Sequence, residues 1–594
     1  MNKILKKICS FQTLLIIFFI ACLCCILPVS RNLIIILMEK IIGRALQDMT
    51  KWNAVIVGSM SFFATLALFT YFLIYTEKGK YVFAACREKI RELFYSKKAL
   101  TQVAILFGLY CICYLTLFRA NYDFQDDIKR IISGHKSWVG ASRYISESLS
   151  VFLHTNFYLN DLAPFTQILA AAILAISSYT LAYVMTDGAV TKLSLIASLF
   201  LGICPFYFEN MSYKFDSPYM ALAMLFGVLP FLFTKDLLVY AAISFMSLIF
   251  VCSSYQAGNS IYIIMTLVLT MKMILSKTGG KRILSFLLTS IASYIIALII
   301  FKVLIMIPTE ATIDERNTQV HMGIQFFTMV KDNFIGYNRT VFSNYGNIWI
   351  RFFTCILALL FPFAAAKNAR VNKPLALLTS IFFLGLMYIL SFGAYLAIGN
   401  TLLNDRAFMG FDAFIAVIAL TDLALYDSRD KSRGQSATKI LTLISICALF
   451  HGFTVFAIVR GNLYAKQNDY QKFRYTILLG DMGHLINSSA HNEAYIVGDI
   501  GPSTSSIMEY KNYNLNIGGY SSGWTHILIQ DWNMDLDFLA TDSFERKFNE
   551  NKELKAELEA MPLLISSYYH DIYGENNRYL VKLKNPQVKD YEIK

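Results

Sequence analysis

Three carboxylates open a polar stretch that follows an apolar part of the chain. Asp123, Asp126 and Asp127 come directly after the apolar run Ala104–Phe118. A carboxylate at the edge of an apolar segment can serve as a general base that removes a proton from a hydroxyl group. We therefore take Asp126 and Asp127 as the first candidates for a catalytic base, and Asp123 as the third.

The residues after these carboxylates form an amphipathic pattern. Apolar side chains recur close to helical spacing from Ile128 to Leu153, and basic residues such as Lys129, Arg130 and Arg143 lie between them. This pattern is typical of a helix that lies at a membrane surface. It predicts that the three carboxylates are held at the edge of a bilayer.

Three further segments place polar side chains at the ends of apolar runs, namely Asn210–Asp216, Ser254–Gln256 and the pair Asp405 and Arg406. Ionisable groups at a membrane edge are costly and usually face a cavity or one another. Together with the carboxylate loop, these segments predict one polar cleft that opens on the outer side. The candidate substrate contacts within them are Tyr213, Lys214, Asp216, Tyr255, Gln256 and Arg406.

Such a cleft suits the transfer of a sugar from a polyprenyl phosphate. The leaving group would be a phosphate that needs no proton, so one carboxylate acting as base on the acceptor hydroxyl would be enough. Arg406 and Lys214 are the candidate phosphate contacts, because cations stabilise charge that develops on a phosphate. Tyr213, Asp216 and Gln256 would line the sugar site. The sequence contains no GxGxxG or P-loop signature, which fits a donor that is not a nucleotide.

Each candidate also has a structural alternative. Asp126 or Asp127 could cap a helix whose dipole suits a negative charge. Lys214 could be a side chain that extends along apolar surface towards water. Gln256 could be a buried hydrogen-bonding residue, and Arg406 could pair with its acidic neighbour. Three aspartates could offer oxygen ligands to a divalent cation, but one loop supplies too few, so we predict neither a metal site nor another cofactor.

The composition identifies an integral membrane protein. Hydrophobic residues make up 56% of the 594 residues, charged residues only 16%, and the mean hydropathy is +0.49. Many apolar runs reach the length of about 20 residues that crosses a bilayer core. The net charge of +12 reflects loops retained in the cytoplasm and does not indicate nucleic-acid binding.

The apolar runs predict an all-α polytopic protein with about thirteen transmembrane helices, the N-terminus in the cytoplasm and the C-terminus outside. The basic connectors all fall on one side in this topology. Arg31–Gln47 is predicted to lie along the interface, and Pro308–Ile350 to form a large outer loop. After a first helix near residues 11–30, the predicted helices are Ala54–Tyr75, Val103–Phe118, Phe165–Met185, Leu193–Phe208, Tyr219–Phe233, Leu237–Cys252, one that ends at Leu275, Ile283–Ile307, Phe352–Ala366, Leu375–Ala397, Ala407–Leu425 and Ile440–Val459.

The chain divides into three predicted parts. Residues 1–100 hold the first helices and a basic cytoplasmic loop, residues 101–459 form the transmembrane catalytic domain, and residues 460–594 form a small extracytoplasmic α/β or α+β domain. In this last part we predict a polar helix at Gln467–Ile486, a charged helix near Phe544–Ala560, and strands at Ala494–Ile500, Thr525–Trp532, Leu563–Tyr568 and Tyr579–Lys584.

Four stretches, in this order, resemble the type II O-antigen glucosyltransferase family, whose members convert serotypes and are often carried by bacteriophages. They are DFQDDIKRIISGHKSWVGASRYISESL, ENMSYKFDSPYMALAM, SSYQAGN and NDRAFMGF. More widely, an acidic loop after an early transmembrane helix, followed by an amphipathic helix, is similar to the GT-C glycosyltransferases. The resemblance covers about residues 100–459, and NMSYKFDS is its most specific part.

The resemblance implies a hexosyltransferase of the bacterial inner membrane. It would move glucose from undecaprenyl-phosphate glucose to a lipid-linked O-antigen on the periplasmic face, with inversion at the anomeric carbon. A donor synthase and a flippase would be its pathway partners. One alternative is another envelope enzyme, such as an O-antigen polymerase or a transferase of a different sugar. A transporter or flippase of lipid-linked sugars is a more distant alternative, because that class usually shows repeat symmetry.

Overall fold

The computed structural model describes residues 11–42, 49–306, 324–399, 401–426, 433–486, 492–498, 500–513, 537–538 and 551–585. The helices are α1 (Phe11–Ile26), α2 (Pro28–Ile42), α3 (Met49–Tyr75), α4 (Glu77–Phe94), α5 (Lys97–Cys113), α6 (Leu115–Ala120), α7 (Asp126–Ser133), α8 (Tyr144–His154), α9 (Phe165–Met185), α10 (Lys192–Ile203), α11 (Tyr207–Ser212), α12 (Ser217–Val228), α13 (Leu237–Ser254), α14 (Asn259–Leu275), α15 (Gly280–Ile300), α16 (Ile324–Asn344), α17 (Ile348–Lys367), α18 (Lys373–Leu390), α19 (Met409–Asp422), α20 (Arg433–Gly483), α21 (Thr504–Tyr513) and α22 (Lys552–Glu559).

All thirteen predicted segments are helical, but fewer meet the length of a membrane span. Within the described ranges, nine helices are long and apolar enough to cross a membrane, or ten if α1 and α2 form one bent span. The other three predicted passes are α5, with 17 residues, and α10 and α12, with 12 each. Helix α10 ends at Ile203 because Pro205 disfavours helical backbone at the residue before it, so this predicted pass is shorter than its apolar run.

The two N-terminal helices, α1 and α2, form a sharply bent pair. Helix α1 and the part of α2 up to Lys40 meet at 91°, so α2 runs across the direction of α1. The predicted segment Arg31–Gln47 covers most of α2, and its last residues, 43–47, lie outside the described ranges. A right-angle turn of this kind suits a helix that leaves a spanning direction and follows a membrane surface.

The core of the bundle is formed by α9, α14 and α19, which are buried on most of their faces. Helix α19 approaches the end of α18 closely at Gly410. A Cβ atom there would lie 2.1 Å from the carbonyl oxygen of Ser391 and 2.4 Å from Oγ of Ser260. Only glycine fits this contact, and its lack of a side chain allows the start of α19 to pack directly against the end of α18 and the start of α14.

The basic connectors meet at one end of the bundle. Their contacts join Tyr81 Oη to Asp236 Oδ2 at 2.6 Å, Lys89 Nζ to Tyr183 Oη at 3.2 Å, Lys272 Nζ to Asp187 Oδ2 at 3.4 Å, the Arg282 guanidinium to the Lys235 carbonyl at 2.8 Å, and the Arg370 N–H to the Leu275 carbonyl at 2.8 Å. The sequence predicted these connectors on one side, and the structure gathers them there. Side chains of Thr76, Thr191, Asp236 and Asn372 cap helices that begin at this end.

The predicted outer loop Pro308–Ile350 is wrong over most of its described length. Helix α16 occupies Ile324–Asn344, and α17 begins at Ile348, while residues 307–323 lie outside the described part. The charges in this stretch suggested a loop. Its apolar residues nevertheless recur at helical spacing, and Met329, Tyr337 and Val341 are buried against the bundle.

Helix α20 connects the membrane bundle to the C-terminal part without a break. It runs over 51 residues and includes both the predicted helix Ile440–Val459 and most of the predicted helix Gln467–Ile486. The predicted boundary at residue 460 therefore lies inside a continuous helix. The reason is that the change from apolar to polar composition, which suggested a boundary, does not interrupt helical hydrogen bonding.

The C-terminal sheet contains five strands, β1 (Glu493–Gly498), β2 (Asp537–Phe538), β3 (Leu563–Ser566), β4 (His570–Glu575) and β5 (Arg578–Leu583). Their order in the sheet is β2-β1-β5-β4-β3. Strand β1 pairs in parallel with β2 and β5, and the other pairs are antiparallel. Strands β1, β3 and β5 match predicted strands, β4 was missed, and the predicted strand Thr525–Trp532 lies outside the described residues.

Arg474 of α20 fastens this sheet to the long helix. Its guanidinium, only 2% exposed, donates to the carbonyl oxygens of Ile500 at 3.0 Å and of Tyr569 and Lys584 at 2.7 Å each. These carbonyls belong to the loop after β1 and to the ends of the β4–β5 hairpin. One buried side chain therefore joins three separate backbone segments of the sheet to α20.

We expect Arg474→Met to release the C-terminal sheet from α20. The variant removes the Arg474 hydrogen bonds to three carbonyl oxygens, and each lost bond to a charged group costs about 1.5–3 kcal/mol. The carbonyls of Ile500 and Tyr569 keep one other donor each, the Tyr470 hydroxyl and the Lys584 N–H. Limited proteolysis in detergent should show much faster cleavage within residues 487–585 than in the wild type. Arg474→Lys, which keeps a charge but fewer donors, should be intermediate. Equal protection of all three proteins would contradict this function of Arg474.

Candidate functional site

The structure brings the four predicted polar segments together at the end of the bundle opposite the basic connectors. The carboxylate loop contacts the Asn210–Asp216 segment through Asp127, whose Oδ2 accepts from the Lys214 N–H at 2.9 Å. That segment contacts Arg406, whose carbonyl oxygen accepts from the Asn210 amide at 3.2 Å. The third segment, Ser254–Gln256, contacts the stretch that follows the carboxylates, because Gln256 accepts from the guanidinium of Arg143 at 3.3 Å.

Asp127 lies beneath the site and is fully buried. Its carboxylate accepts from the backbone N–H groups of Phe124 at 3.4 Å, Lys214 at 2.9 Å and Phe215 at 3.5 Å. Burial raises the pKa of Asp127 to about 7, although the charge of Arg130 and the N–H of Lys214 act in the opposite direction. A pKa near neutrality suits a general base, but this carboxyl has no face open to a substrate. It joins the loop to the second segment.

Asp123 and Lys214 form an ion pair beside this contact. The Lys214 ammonium lies 2.5 Å from Oδ1 of Asp123 and 3.6 Å from Oδ2 of Asp161. The Lys214 side chain is 3% exposed. Two carboxylates therefore already neutralise the charge that was predicted to bind phosphate. Lys214 does not lie along apolar surface towards water, which was its structural alternative.

Asp126 is the exposed carboxylate of the three. In the described part of the chain its side chain makes no hydrogen bond and no ion pair, and the residue that precedes α7, Gln125, makes no capping bond either. Asp126 therefore makes no capping hydrogen bond, although it lies in the first turn of α7, where a negative charge suits the helix dipole. Of the three candidate bases, it is the one whose oxygens are free to meet a substrate.

Arg130 and Arg406 each interact electrostatically with Asp126 and with a third arginine, Arg143, and we refer to Arg130, Arg143 and Arg406 as the arginine cluster. Burial lowers the pKa of Arg130 and of Arg406, and the charge of Arg143 lowers both pKa values further. The negative charge of Asp126 raises the same two pKa values. These mutual effects place the carboxylate within the electrostatic reach of the cluster.

Arg406 is held by aromatic and polar contacts. Its guanidinium lies over the Tyr213 ring, 4.9 Å from the centroid, and donates to Oε1 of Gln125 at 3.3 Å. The Tyr213 hydroxyl donates to the same oxygen at 2.6 Å. Glu209 lies 3.9 Å from the guanidinium, so a carboxylate partly balances this charge. The site thus combines Arg406 with Tyr213, as predicted, and adds Gln125.

Asp405 does not pair with its neighbour Arg406. Instead it accepts from the Asn344 amide at 2.8 Å and lies 3.4 Å from the guanidinium of Arg460 on α20. The structural alternative for Arg406, a pair with the adjacent acid, is therefore wrong. The two residues point their side chains to different partners, and Asp405 joins α16 and α20 to the site.

Asp216 belongs to the support of the site. It forms an ion pair with Arg130 in which both side chains are at most 5% exposed. The indole N–H of Trp138 donates to its other oxygen at 2.5 Å, and the Arg130 guanidinium lies 4.8 Å from the centroid of the same indole. The predicted sugar contact at Asp216 has both of its carboxylate oxygens occupied by protein groups.

Tyr255 and Gln256 hold Arg143. The Arg143 guanidinium lies 4.6 Å from the centroid of the Tyr255 ring, and Gln256 donates to the Ala141 carbonyl at 2.8 Å. In the described part of the chain no carboxylate forms an ion pair with Arg143. It is therefore the member of the arginine cluster without a close anion, and it is half-exposed.

Sequence reasoning missed Arg143, Gln125 and Glu209 as members of the site. Arg143 was read as part of the polar face of an interfacial helix, and nothing in its neighbours distinguishes it from Lys129. Gln125 adopts a positive φ of 47°, which is uncommon for a residue with a side chain and clusters at functional sites. Among the described residues, no group of three His, Cys, Asp or Glu side chains is placed to hold a metal ion.

Comparisons with known proteins identify the chain. The family model described as Glucosyl transferase GtrII matches residues 112–421, more than half of the chain and all four polar segments. An uncharacterized 55.3 kDa protein of Salmonella phage P22, in the gtrB 5′ region, is 24% identical over 195 residues, which cover 33% of this chain and 40% of the relative. The crystal structure of the Archaeoglobus fulgidus oligosaccharyltransferase aligns with a TM-score of 0.30 at 12% identity, covering 66% of this chain and 57% of that one. The chain belongs to the GtrII glucosyl transferase family, and its apolar helices make it an integral membrane protein.

Proposed function

We propose that this glycosyltransferase moves glucose from undecaprenyl-phosphate glucose to a lipid-linked O-antigen. Membership of a glucosyl transferase family supports the sugar, and the membrane-spanning helices support two substrates that are carried by lipids. The observation that carries the proposal is the exposed carboxylate of Asp126 among the arginine cluster. A donor synthase and a flippase would supply the glucosyl donor, and the family match favours this reaction over polymerisation or transport.

We propose that the polar end of the bundle faces the periplasm of a bacterial inner membrane, with a GT-C-like arrangement of the helices. The basic connectors gather at the other end, and Lys and Arg are enriched in cytoplasmic loops. In this orientation the N-terminus lies in the cytoplasm. The C-terminal sheet, which α20 carries at the polar end, lies in the periplasm beside the site.

The reaction proposed here is a single displacement. Asp126 accepts the proton of the acceptor hydroxyl, and the acceptor oxygen forms a bond to the anomeric carbon of glucose. The bond from that carbon to the phosphate oxygen breaks, and its electron pair stays on the phosphate. Arg143 and Arg406 stabilise the charge that develops there. Attack from the face opposite the phosphate would invert the anomeric centre.

The donor and acceptor can be tested with the full chain in proteoliposomes. Undecaprenyl-phosphate carrying radiolabelled glucose is supplied with lipid-linked O-antigen isolated from cells that lack the gene. We expect label to appear in the O-antigen only when enzyme, donor and acceptor are all present. Transfer from UDP-glucose in the absence of the lipid donor, or no transfer from the lipid donor, would contradict the proposal.

We expect Arg143→Ala to lower kcat/KM roughly 100-fold, the typical loss when one group that stabilises developing charge is removed. Arg143→Lys should retain an intermediate rate, because a lysine supplies charge but lacks the planar group that stacks on Tyr255. The matched control is Arg87→Ala, an exposed arginine of α4 at the basic end. Rates from initial velocities would contradict the role if Arg143→Ala and Arg87→Ala were equally active.

A further inference from the structure

A polar cavity lies beside the loop that carries the three carboxylates. Its volume is about 460 Å³. Its walls come from residues 119–121, from Asp123, Ile131, Asp161 and Lys214, and from Ala465, Asn468, Asp469 and Lys472 of α20. The arginine cluster and Tyr213 are not part of these walls. The carboxylate loop therefore borders two separate regions. Gln125 and Asp126 interact with the arginine cluster, and Asp123 lines this cavity.

The two main walls of the cavity are fixed to each other. The Asn468 amide donates to the Ala120 carbonyl at 3.4 Å, and the Gln471 amide donates to the Tyr122 hydroxyl at 3.4 Å. The Arg119 guanidinium donates to Asn462 at 2.5 Å. Because these bonds join α20 to the start of the carboxylate loop at three points, the cavity is formed before any ligand enters.

The chemistry of the walls suits a ligand with many hydroxyl groups. Asp123, Asp161 and Asp469 offer carboxylate acceptors, and Asn121 and Asn468 offer amides that both donate and accept. In the described part of the chain the acids are not grouped as a metal site. Arg119, Lys214 and Lys472 also line the cavity and balance its three carboxylates, so the lining carries no net charge and suits a neutral ligand. The volume falls within the range of about 300–1,000 Å³ of small-molecule sites.

We propose that this cavity binds sugar residues of the acceptor, as a neutral glycan. This rests on the function proposed above and assigns the second substrate to a different part of the site from the donor phosphate. Asp123, which lines the cavity, lies three residues before Asp126. Lys214 connects this part of the loop to Asp127, because its ammonium donates to Asp123 and its backbone N–H donates to Asp127. A glycan seated in the cavity presents a hydroxyl across the loop to Asp126.

The variant that tests the cavity is Asp469→Asn. This exposed residue makes no hydrogen bond or ion pair in the described part of the chain, so the change removes a charge and leaves the fold intact. We expect the KM for the acceptor to rise about tenfold, with the KM for the donor unchanged. Asp469→Trp fills the cavity and should raise the acceptor KM further. Glu553→Gln on α22 is the matched control and should behave as wild type.

A second measurement separates this inference from the proposed function. Hydrolysis of undecaprenyl-phosphate glucose without acceptor reports on the donor side alone, and we expect wild-type rates in Asp469→Asn and Asp469→Trp. Normal transfer with an unchanged acceptor KM in both variants would overturn the acceptor site while the proposed function stands. An increase in the donor KM would assign the cavity to the donor instead. If the wild type transfers no glucose at all, the proposed function itself fails.

Discussion

Asp126→Asn should reduce glucosyl transfer by about 10²–10⁴-fold, the usual contribution of a general base, in a protein that folds and inserts normally. Asp126 is exposed and its side chain has no partner in the described part of the chain, so replacing its oxygen with an amide removes little stability. The measurement is transfer of labelled glucose by purified protein, with the amount of folded enzyme determined by size-exclusion chromatography.

The two neighbouring aspartates provide the comparison. Asp127→Asn should lower the yield and the melting temperature, because an amide cannot accept from the N–H groups of Phe124, Lys214 and Phe215 at once. Asp123→Asn weakens the ion pair with Lys214 and should keep most of the maximal rate. Full activity of Asp126→Asn, together with an inactive but well-folded Asp127→Asn, would transfer the role of base to Asp127.

Asp216→Ala should destabilise the folded protein by about 3–5 kcal/mol, the cost of leaving one partner of a buried ion pair without the other. The change leaves the Arg130 guanidinium without its carboxylate and removes the acceptor of the Trp138 indole. We expect a much lower melting temperature in detergent and little folded protein in membranes.

The double variant Arg130→Met, Asp216→Leu tests whether the loss comes from the unpaired charge. Replacing both partners with apolar side chains of similar size removes the buried charge altogether, and such replacements are often neutral. Its melting temperature should recover most of the loss. A double variant as unstable as Asp216→Ala would mean that Trp138 packing, rather than the ion pair, depends on Asp216.

The membrane helices and the meeting of four polar segments could be predicted because their signals are local. Long apolar runs indicate helices from local sequence alone. The basic charge of the connectors indicates which helix ends lie on the same side of the bundle. The exposure of each aspartate could not be predicted in the same way. Asp127 is buried where N–H groups 87 and 88 residues further along the chain donate to it. The residues next to Asp126 and Asp127 in the sequence do not indicate that one is exposed and the other buried.

Two other features could not be predicted because the residues that determine them are distant along the chain. Asp216 was predicted to contact the sugar, but Arg130 and Trp138 reach it from the carboxylate loop. Strand β4 was missed because its sequence, HDIYGE, alternates weakly and is stabilised by pairing with β3 and β5 on both sides. In both cases the decisive partners lie in other elements, which a local pattern does not reveal.

Because α20 is continuous, its length fixes both the direction in which the C-terminal sheet faces around the helix axis and its distance along that axis from the membrane bundle. Each residue of a helix adds about 1.5 Å of length and turns the chain by about 100°. One residue inserted between Arg460 and Lys466 would therefore turn the sheet, with Asp469, away from the carboxylate loop. An insertion of seven residues would nearly restore the direction while raising the sheet by about 10 Å. The number of residues in this helix is thus itself a determinant of which side of the C-terminal sheet faces the carboxylate loop.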